Sequence, residues 1–310
     1  MIEKSGKLKR YRLSSRKSKV SVRDLIIPYE AGDSLKAFLE KLPSQLAAVE
    51  LKEASIRIAE ARKKRKQVIV GFGGHVIKVG LGPLLVDMMK RGVITALCTN
   101  GAGMIHDFEL ALAGKTSEDV DTAIVDGSFG FAEETGKIIN EAVKKGTEKG
   151  WGIGEAVGKV LESKKAKYRN ISVLVGAGRN NVPLTVHVAI GTDIVHMHED
   201  ADGEAWGKSA FVDFRKFCDI VSELEGGVYL NIGSAVVLPE VFLKAVTRAR
   251  NAGKSLRRIT TIDMDFIKQY RPQTNVIRRP TSEGGRGISL VGHHEIMVPL
   301  LFASVIEEMR

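Results

Sequence analysis

Four apolar runs, each ending in small residues, restrict what this chain can fold into. They are "QVIVGFGGH" from residue 67, "VITALCTNGAG" from residue 93, "LTVHVAIGTD" from residue 184 and "VYLNIGSA" from residue 228. A short apolar run closed by glycine is the pattern of a strand buried on both faces. Helical spacing follows such runs, in "LGPLLVDMMKRG", "FAEETGKIINEAVKKG", "GIGEAVGKVLESKK", "FVDFRKFCDIVSELEGG" and "PEVFLKAVTRARNAG". "ISVLVGAG" and "ITTIDMD" are expected as further strands, and "EIMVPLLFASVIEEM" as a closing helix. The alternation predicts an α/β fold, Rossmann-like, with a mostly parallel sheet and helices on both faces. Two helices separated near Pro43 form a helical N-terminal extension. Residues 269–294, rich in Arg, Pro and Gly without periodicity, are expected as a long functional loop.

Charge and composition narrow the partners. The net charge is +10, but residues 1–66 hold 18 Lys and Arg against 8 Asp and Glu, so the whole excess lies there. Residues 1–24 are expected to form a basic arm preceding a single domain over 25–310. No stacking aromatics or recognition motif accompany the arm, so a nucleic-acid partner is not expected. No apolar run approaches the roughly 18 residues of a membrane span. With only Cys98 and Cys218 and no signal-like segment, a cytoplasmic setting is expected.

The glycine-ended strands place candidate cofactor residues at one sheet edge, where open parallel sheets bind nucleotides. These are Gly73, Gly74 and His75; Thr99, Asn100, Gly101, Ala102 and Gly103; and Gly233 with Ser234. Small residues there let backbone N–H groups approach a phosphate. His106 and Asp107 follow directly, and "TDIVHMHED" crowds Asp193, His196 and His198. His187 faces away from the apolar side of its strand. Neutral histidines suit proton transfer from an ammonium group. Arg278 and Arg279 suit a carboxylate or phosphate. No cysteine set or H-E-x-x-H helix supports a metal site.

The sequence resembles the deoxyhypusine synthase family through "GFGGHVIKVGL", "VITALCTNGAGMIHDFELALAG", "VPLTVHVAIGTD", "CDIVSELEGGVYLNIGSAVVLPEVFLKAVTRARNAG", "ITTIDMD" and "MVPLLFASVIEE". The resemblance implies a deoxyhypusine synthase-like NAD-binding fold, a homotetramer or dimer, and NAD-dependent conversion of an amine to an imine. It implies cofactor contacts at Thr99–Gly103, Gly233–Ser234 and Thr260–Thr261. Of the family's acidic set only Asp107 is matched. The family's tryptophan–glycine–lysine run is absent downstream of Gly233 and occurs only at Trp206–Lys208, upstream. Aminobutyl transfer through a carrier lysine is therefore not expected. "NGAGMIHDFELALAGKT" is also similar to the NAD-dependent ornithine cyclodeaminase domain found with arginine dihydrolases.

The expected protein is an NAD-dependent transferase or lyase acting on a small amine or amino acid. His106, Asp107, Asp193 and His196 are its catalytic candidates, and His187, His198, Arg278 and Arg279 its substrate contacts. A non-catalytic NAD-binding regulator and a metal-dependent hydrolase built on the histidine loop stay open at this point.

Overall fold

The computed structural model describes residues 8–310, so residues 1–7 of the basic arm lie outside the described residues. The chain divides into two compact units, residues 1–49 and 50–310. In the first, short 3-10 turns at Leu13–Ser15 and Val22–Asp24 precede helix α1 (Leu35–Lys41). Nothing between residues 8 and 24 is buried. Deleting residues 1–20 should therefore move the melting temperature of the chain by only about 1 °C, as for other surface changes. Scanning calorimetry of the truncated chain checks this; a loss several times larger would make the arm part of the folded core.

Helix α2 spans Leu46–Lys63. Six parallel strands then form one sheet: β1 (Val68–Phe72), β2 (Ala96–Asn100), β3 (Leu184–His187), β4 (Val228–Ile232), β5 (Thr260–Asp265) and β6 (Arg286–Val291). Their spatial order is β3-β2-β1-β4-β5-β6. Successive strands step outward from β1 in one direction, and then from β4 in the other. The reversal leaves a crevice at the carboxyl ends of β1 and β4.

The remaining helices are α3 (Gly74–Lys78), α4 (Gly82–Lys90), α5 (Gly101–Ala113), α6 (Val120–Asp126), α7 (Glu133–Glu148), α8 (Ile153–Ser163), α9 (Val173–Arg179), α10 (Gly203–Ser222), α11 (Val237–Asn251), α12 (Tyr270–Pro272) and α13 (His294–Met309). Burial on both sheet faces explains the continuous apolar runs. Val68, Val70 and Phe72 of β1 join the larger core with residues of α4, α5, α7, α8 and α13. Ile69 of β1 and Tyr229 of β4 face the other way, into a smaller core with Phe217 of α10 and Phe242 of α11. Tyr229 and Phe242 stack there, with centroids 3.8 Å apart.

Two expectations change. "ISVLVGAG" is helical over Val173–Arg179 rather than a strand. Periodicity cannot separate a short buried helix from a buried strand, and tertiary capping of its N-terminus decides the matter. The expected loop 269–294 holds α12, a π-helical segment Gln273–Arg278 and the edge strand β6. Among the described residues no helix is long and apolar enough to cross a membrane.

Candidate functional site

The crevice is built by two turns that close on each other. After β1 the Gly73 N–H donates to the Ile232 carbonyl at 2.9 Å, and after β4 the Gly233 N–H donates to Met264 O at 3.0 Å. A Cβ on Gly73 would lie 2.2 Å from the Gly233 carbonyl oxygen, so backbone meets backbone there. Gly233 has φ +64°, the left-handed region that favours glycine. A side chain on it would meet His294 Cε1 at 2.7 Å.

The turn after β2 is equally tight. Asn100 caps α5 by accepting from Gly103 N at 2.9 Å, and Thr99 Oγ1 donates to the Phe72 carbonyl at 2.8 Å. Cβ atoms on Gly103, Gly101 and Gly74 would meet Thr99 Oγ1 at 2.0 Å, the Asp193 carboxylate at 2.1 Å and Ala102 Cβ at 3.0 Å. The glycines thus pack turns and helix starts together. They build the floor of the crevice, and the space over them is filled by protein atoms rather than kept open for a phosphate.

His106 lies on α5 beside Gly74. Its Nδ1 is 2.8 Å from Thr116 Oγ1, and Thr116 in turn donates to Glu109. Burial, and then the nearby Lys78, push its pKa down to about 4, so the ring is neutral at ordinary pH. The Asp193 carboxylate packs on the first residue of α5, and its Oδ2 has no partner. Burial pushes its pKa up to about 6. His196 packs edge-on against Trp206, centroids 4.7 Å apart, and its Nδ1 accepts from Gly191 N at 3.3 Å. Its Nε2 is buried without a partner, and burial lowers its pKa.

Asp107 has a different post from the one expected. It is 3% exposed, and its carboxylate accepts from Ser172 Oγ at 2.6 Å, Val173 N at 2.8 Å and Leu174 N at 3.0 Å. Those are the N-cap residue and first two positions of α9, so Asp107 holds a helix start, with both carboxylate oxygens already accepting bonds from it. Burial pushes its pKa up, against the pull of those three donors.

Thr260 and Thr261 also depart from expectation. They open β5 and so sit at the amino end of the sheet, roughly 13–17 Å along the strand from its carboxyl end. Arg278 ends the π-helical segment and Arg279 is its C-cap residue; Arg279 Nη1 donates to Asn275 Oδ1 at 2.8 Å. His187 is buried, 3.0 Å from Thr185 Oγ1 and packed on Phe217, and burial lowers its pKa to about 3. His198 Nε2 is 2.9 Å from the Gly130 carbonyl oxygen, and its ring packs on Phe131. Among the described residues no group of three His, Cys, Asp or Glu could hold a metal ion. Trp206 is buried, with Nε1 donating to Asn140 Oδ1 at 2.7 Å, whereas Lys208 is exposed on α10.

Asn231, Asp263, Gln273 and His294 were not singled out from sequence. Asn231 of β4 donates to Asp263 Oδ1 at 2.8 Å, and Gln273 donates to Asp263 Oδ2 at 3.0 Å. Burial pushes the Asp263 pKa up to about 6. His75 and His294 stand beside the two glycine turns, with ring centroids 5.4 Å apart. The acids closing "ITTIDMD" and the pair in "GHHE" were the available signals.

The crevice suits a dinucleotide on two observations. It lies at the reversal of strand order, where doubly wound sheets take such ligands. Four buried polar atoms at or just beyond the strand ends lack partners: Asp193 Oδ2, His196 Nε2, Asn231 Oδ1 and His294 Nδ1. Buried polar atoms are normally hydrogen-bonded, so these are places where a ligand or water would find a partner.

The strand order defines a doubly wound α/β protein. Residues 40–145, about a third of the chain, match the family model of deoxyhypusine synthase. Comparison with curated proteins gave no match. Among solved structures it is similar to AgrE in its ternary complex with ornithine and NAD+, at 18% identity and a TM-score of 0.55, over 84% of this chain and 33% of that one. A protein of Methanococcus maripaludis S2 assigned to the LOR/SDH group gives 17% identity and 0.54, over 85% and 70%. ArgZ, an arginine dihydrolase of cyanobacteria, gives 15% and 0.52, over 86% and 34%. These likenesses show the shared α/β fold. The chain spans about a third of the length of AgrE and of ArgZ.

Proposed function

We propose that this chain is an NAD-binding enzyme that oxidises a small amine or amino acid to an imine, working as a homo-oligomer in the cytoplasm. The unpartnered polar atoms of Asn231 and His294 beside the strand-order reversal, with those of Asp193 and His196 beyond β2 and β3, carry the reading. The complex of AgrE with ornithine and NAD+ supports the ligand class, and the two free, buried cysteines suit a reducing compartment.

Bound NAD+ would supply the hydride acceptor. Loss of a hydride from the carbon next to nitrogen would leave two protons to be taken from the ammonium nitrogen, one by His106 and one by solvent, giving a neutral imine. Asp193 supplies the negative charge that holds an ammonium group, since among the described residues no cation pairs with its Oδ2. His106 is the proton acceptor: neutral above about pH 4, and oriented by Thr116, which bonds in turn to Glu109. His196 lines the same loop as Asp193. Asp107 is left out because its carboxylate is fully engaged. Chemistry on a free substrate imine needs no carrier lysine, in keeping with the exposed position of Lys208.

Calorimetric titration with NAD+ tests the reading, followed by reduced-cofactor absorbance with ornithine, arginine and spermidine. A chain that binds no NAD+ refutes it. Because Asp193 titrates near pH 6, its charge is present above that pH and lost below it. Amine affinity at saturating NADH should therefore fall by about tenfold per pH unit below pH 6, as expected for one linked proton. In Asp193→Asn the affinity should be low and flat from pH 5 to 7. Equal slopes in both proteins would remove Asp193 from ammonium binding.

A further inference from the structure

Three aromatic rings meet beside the crevice, each from a different strand end. His75 follows the Gly73–Gly74 turn, Phe266 follows β5, and His294 opens α13. The His75–Phe266 centroids are 6.1 Å apart, and those of His75–His294 and Phe266–His294 are 5.4 Å and 6.0 Å. The rings differ in burial in a way that suggests a division of labour. His294 is 1% exposed, whereas Phe266 is 48% exposed and His75 is exposed as well.

Phe266 belongs to neither apolar cluster, so core packing does not account for a phenyl ring held at this edge. The Nε2 of His294 lies 3.2 Å from the Met264 carbonyl oxygen. A carbonyl only accepts, so Nε2 carries the proton and Nδ1 is left as an acceptor. That Nδ1 is buried and has no partner.

We propose that Phe266 and His75 form a stacking wall for one flat heteroaromatic ring of the dinucleotide, backed by His294. A ring with an exocyclic NH2 at its edge would give His294 Nδ1 the donor it lacks. The proposal rests on the dinucleotide reading above and adds the residues that set where a ring lies. Nicotinamide and adenine share this chemistry, each being flat and bearing an NH2 group. Aromatic side chains stack on such rings whatever their identity.

The full-length chain is titrated with NAD+ and with ADP-ribose, which lacks the nicotinamide, in the wild type, Phe266→Ala and Phe266→Trp. Phe266→Ala should weaken NAD+ by about tenfold or more, with Phe266→Trp within a few-fold of wild type, as loss and retention of a stacking face require. An unchanged melting curve for the alanine variant shows that the loss is not one of folding. If nicotinamide occupies the wall, ADP-ribose affinity is unaffected by Phe266→Ala; if adenine does, both ligands weaken together. Either pattern supports the wall. Unchanged affinity for both ligands in Phe266→Ala overturns it, leaving the dinucleotide reading intact. A wild-type chain that binds neither ligand overturns both.

Discussion

Replacing Asp107 with alanine should lower the stability of the chain by about 3 kcal/mol, because three donors at the start of α9 lose their acceptor at once. The side chain lies on α5, yet its oxygens serve Ser172 Oγ and the N–H groups of Val173 and Leu174, more than sixty residues along the chain. The first N–H groups of a helix have no intrahelical partner, and here Ser172, Val173 and Leu174 are all buried. For a chain of this length the loss corresponds to roughly 5 °C in melting temperature. Asp107→Asn should also be destabilising, since its amide NH2 would face donors that need an acceptor. Thermal unfolding followed by circular dichroism measures the shift. NAD+ affinity of the folded fraction should be unchanged. The opposite outcome, an unchanged melting temperature with lost substrate binding, would return Asp107 to the active site.

Gly73→Ala should have an effect of similar size through a different cause. Its Cβ would stand 2.2 Å from the Gly233 carbonyl oxygen, and neither backbone can rotate away as a flexible side chain would. One turn must move at the strand-order reversal, at a cost of about 3 kcal/mol, the upper range for overpacking. NAD+ binding should be lost with it, because the crevice is defined by those two turns. Gly207→Ala is the control. That glycine lies in α10 with open space around it, so alanine should stabilise the helix by about 0.5–1 kcal/mol. A Gly73→Ala chain that melts with the wild type and still binds NAD+ would show that the two turns do not depend on their contact.

Much of the architecture is legible along the chain. The runs at residues 68, 96 and 228 are strands because each is largely apolar on both faces, as a parallel sheet buried between two helix layers requires, whereas the run at 260 buries Thr261, Asp263 and Asp265 on one face. The glycine turns after β1 and β4 were visible for the same local reason. Segments without such a pattern were misread. "ISVLVGAG" has the composition of a strand and folds as a helix, and β6 lies in a stretch whose arginines and glycines conceal a strand pairing with β5 over six residues. An edge strand needs only one neighbour and one buried face, so its signal in sequence is weak.

Local pattern thus determined the α/β class, the parallel strands and the edge of the sheet where a ligand would sit. These follow from φ/ψ preference, hydrophobic period and turn chemistry, all acting over a few residues. The use made of each polar side chain there was settled by partners distant in sequence. Asp107 is held by α9, Asp193 lies against Gly101, and His294 fills the space that Gly233 leaves. A carboxylate or an imidazole becomes a cap, an anchor or a base according to which donors and acceptors reach it, and folding brings those from strand ends that sequence keeps far apart.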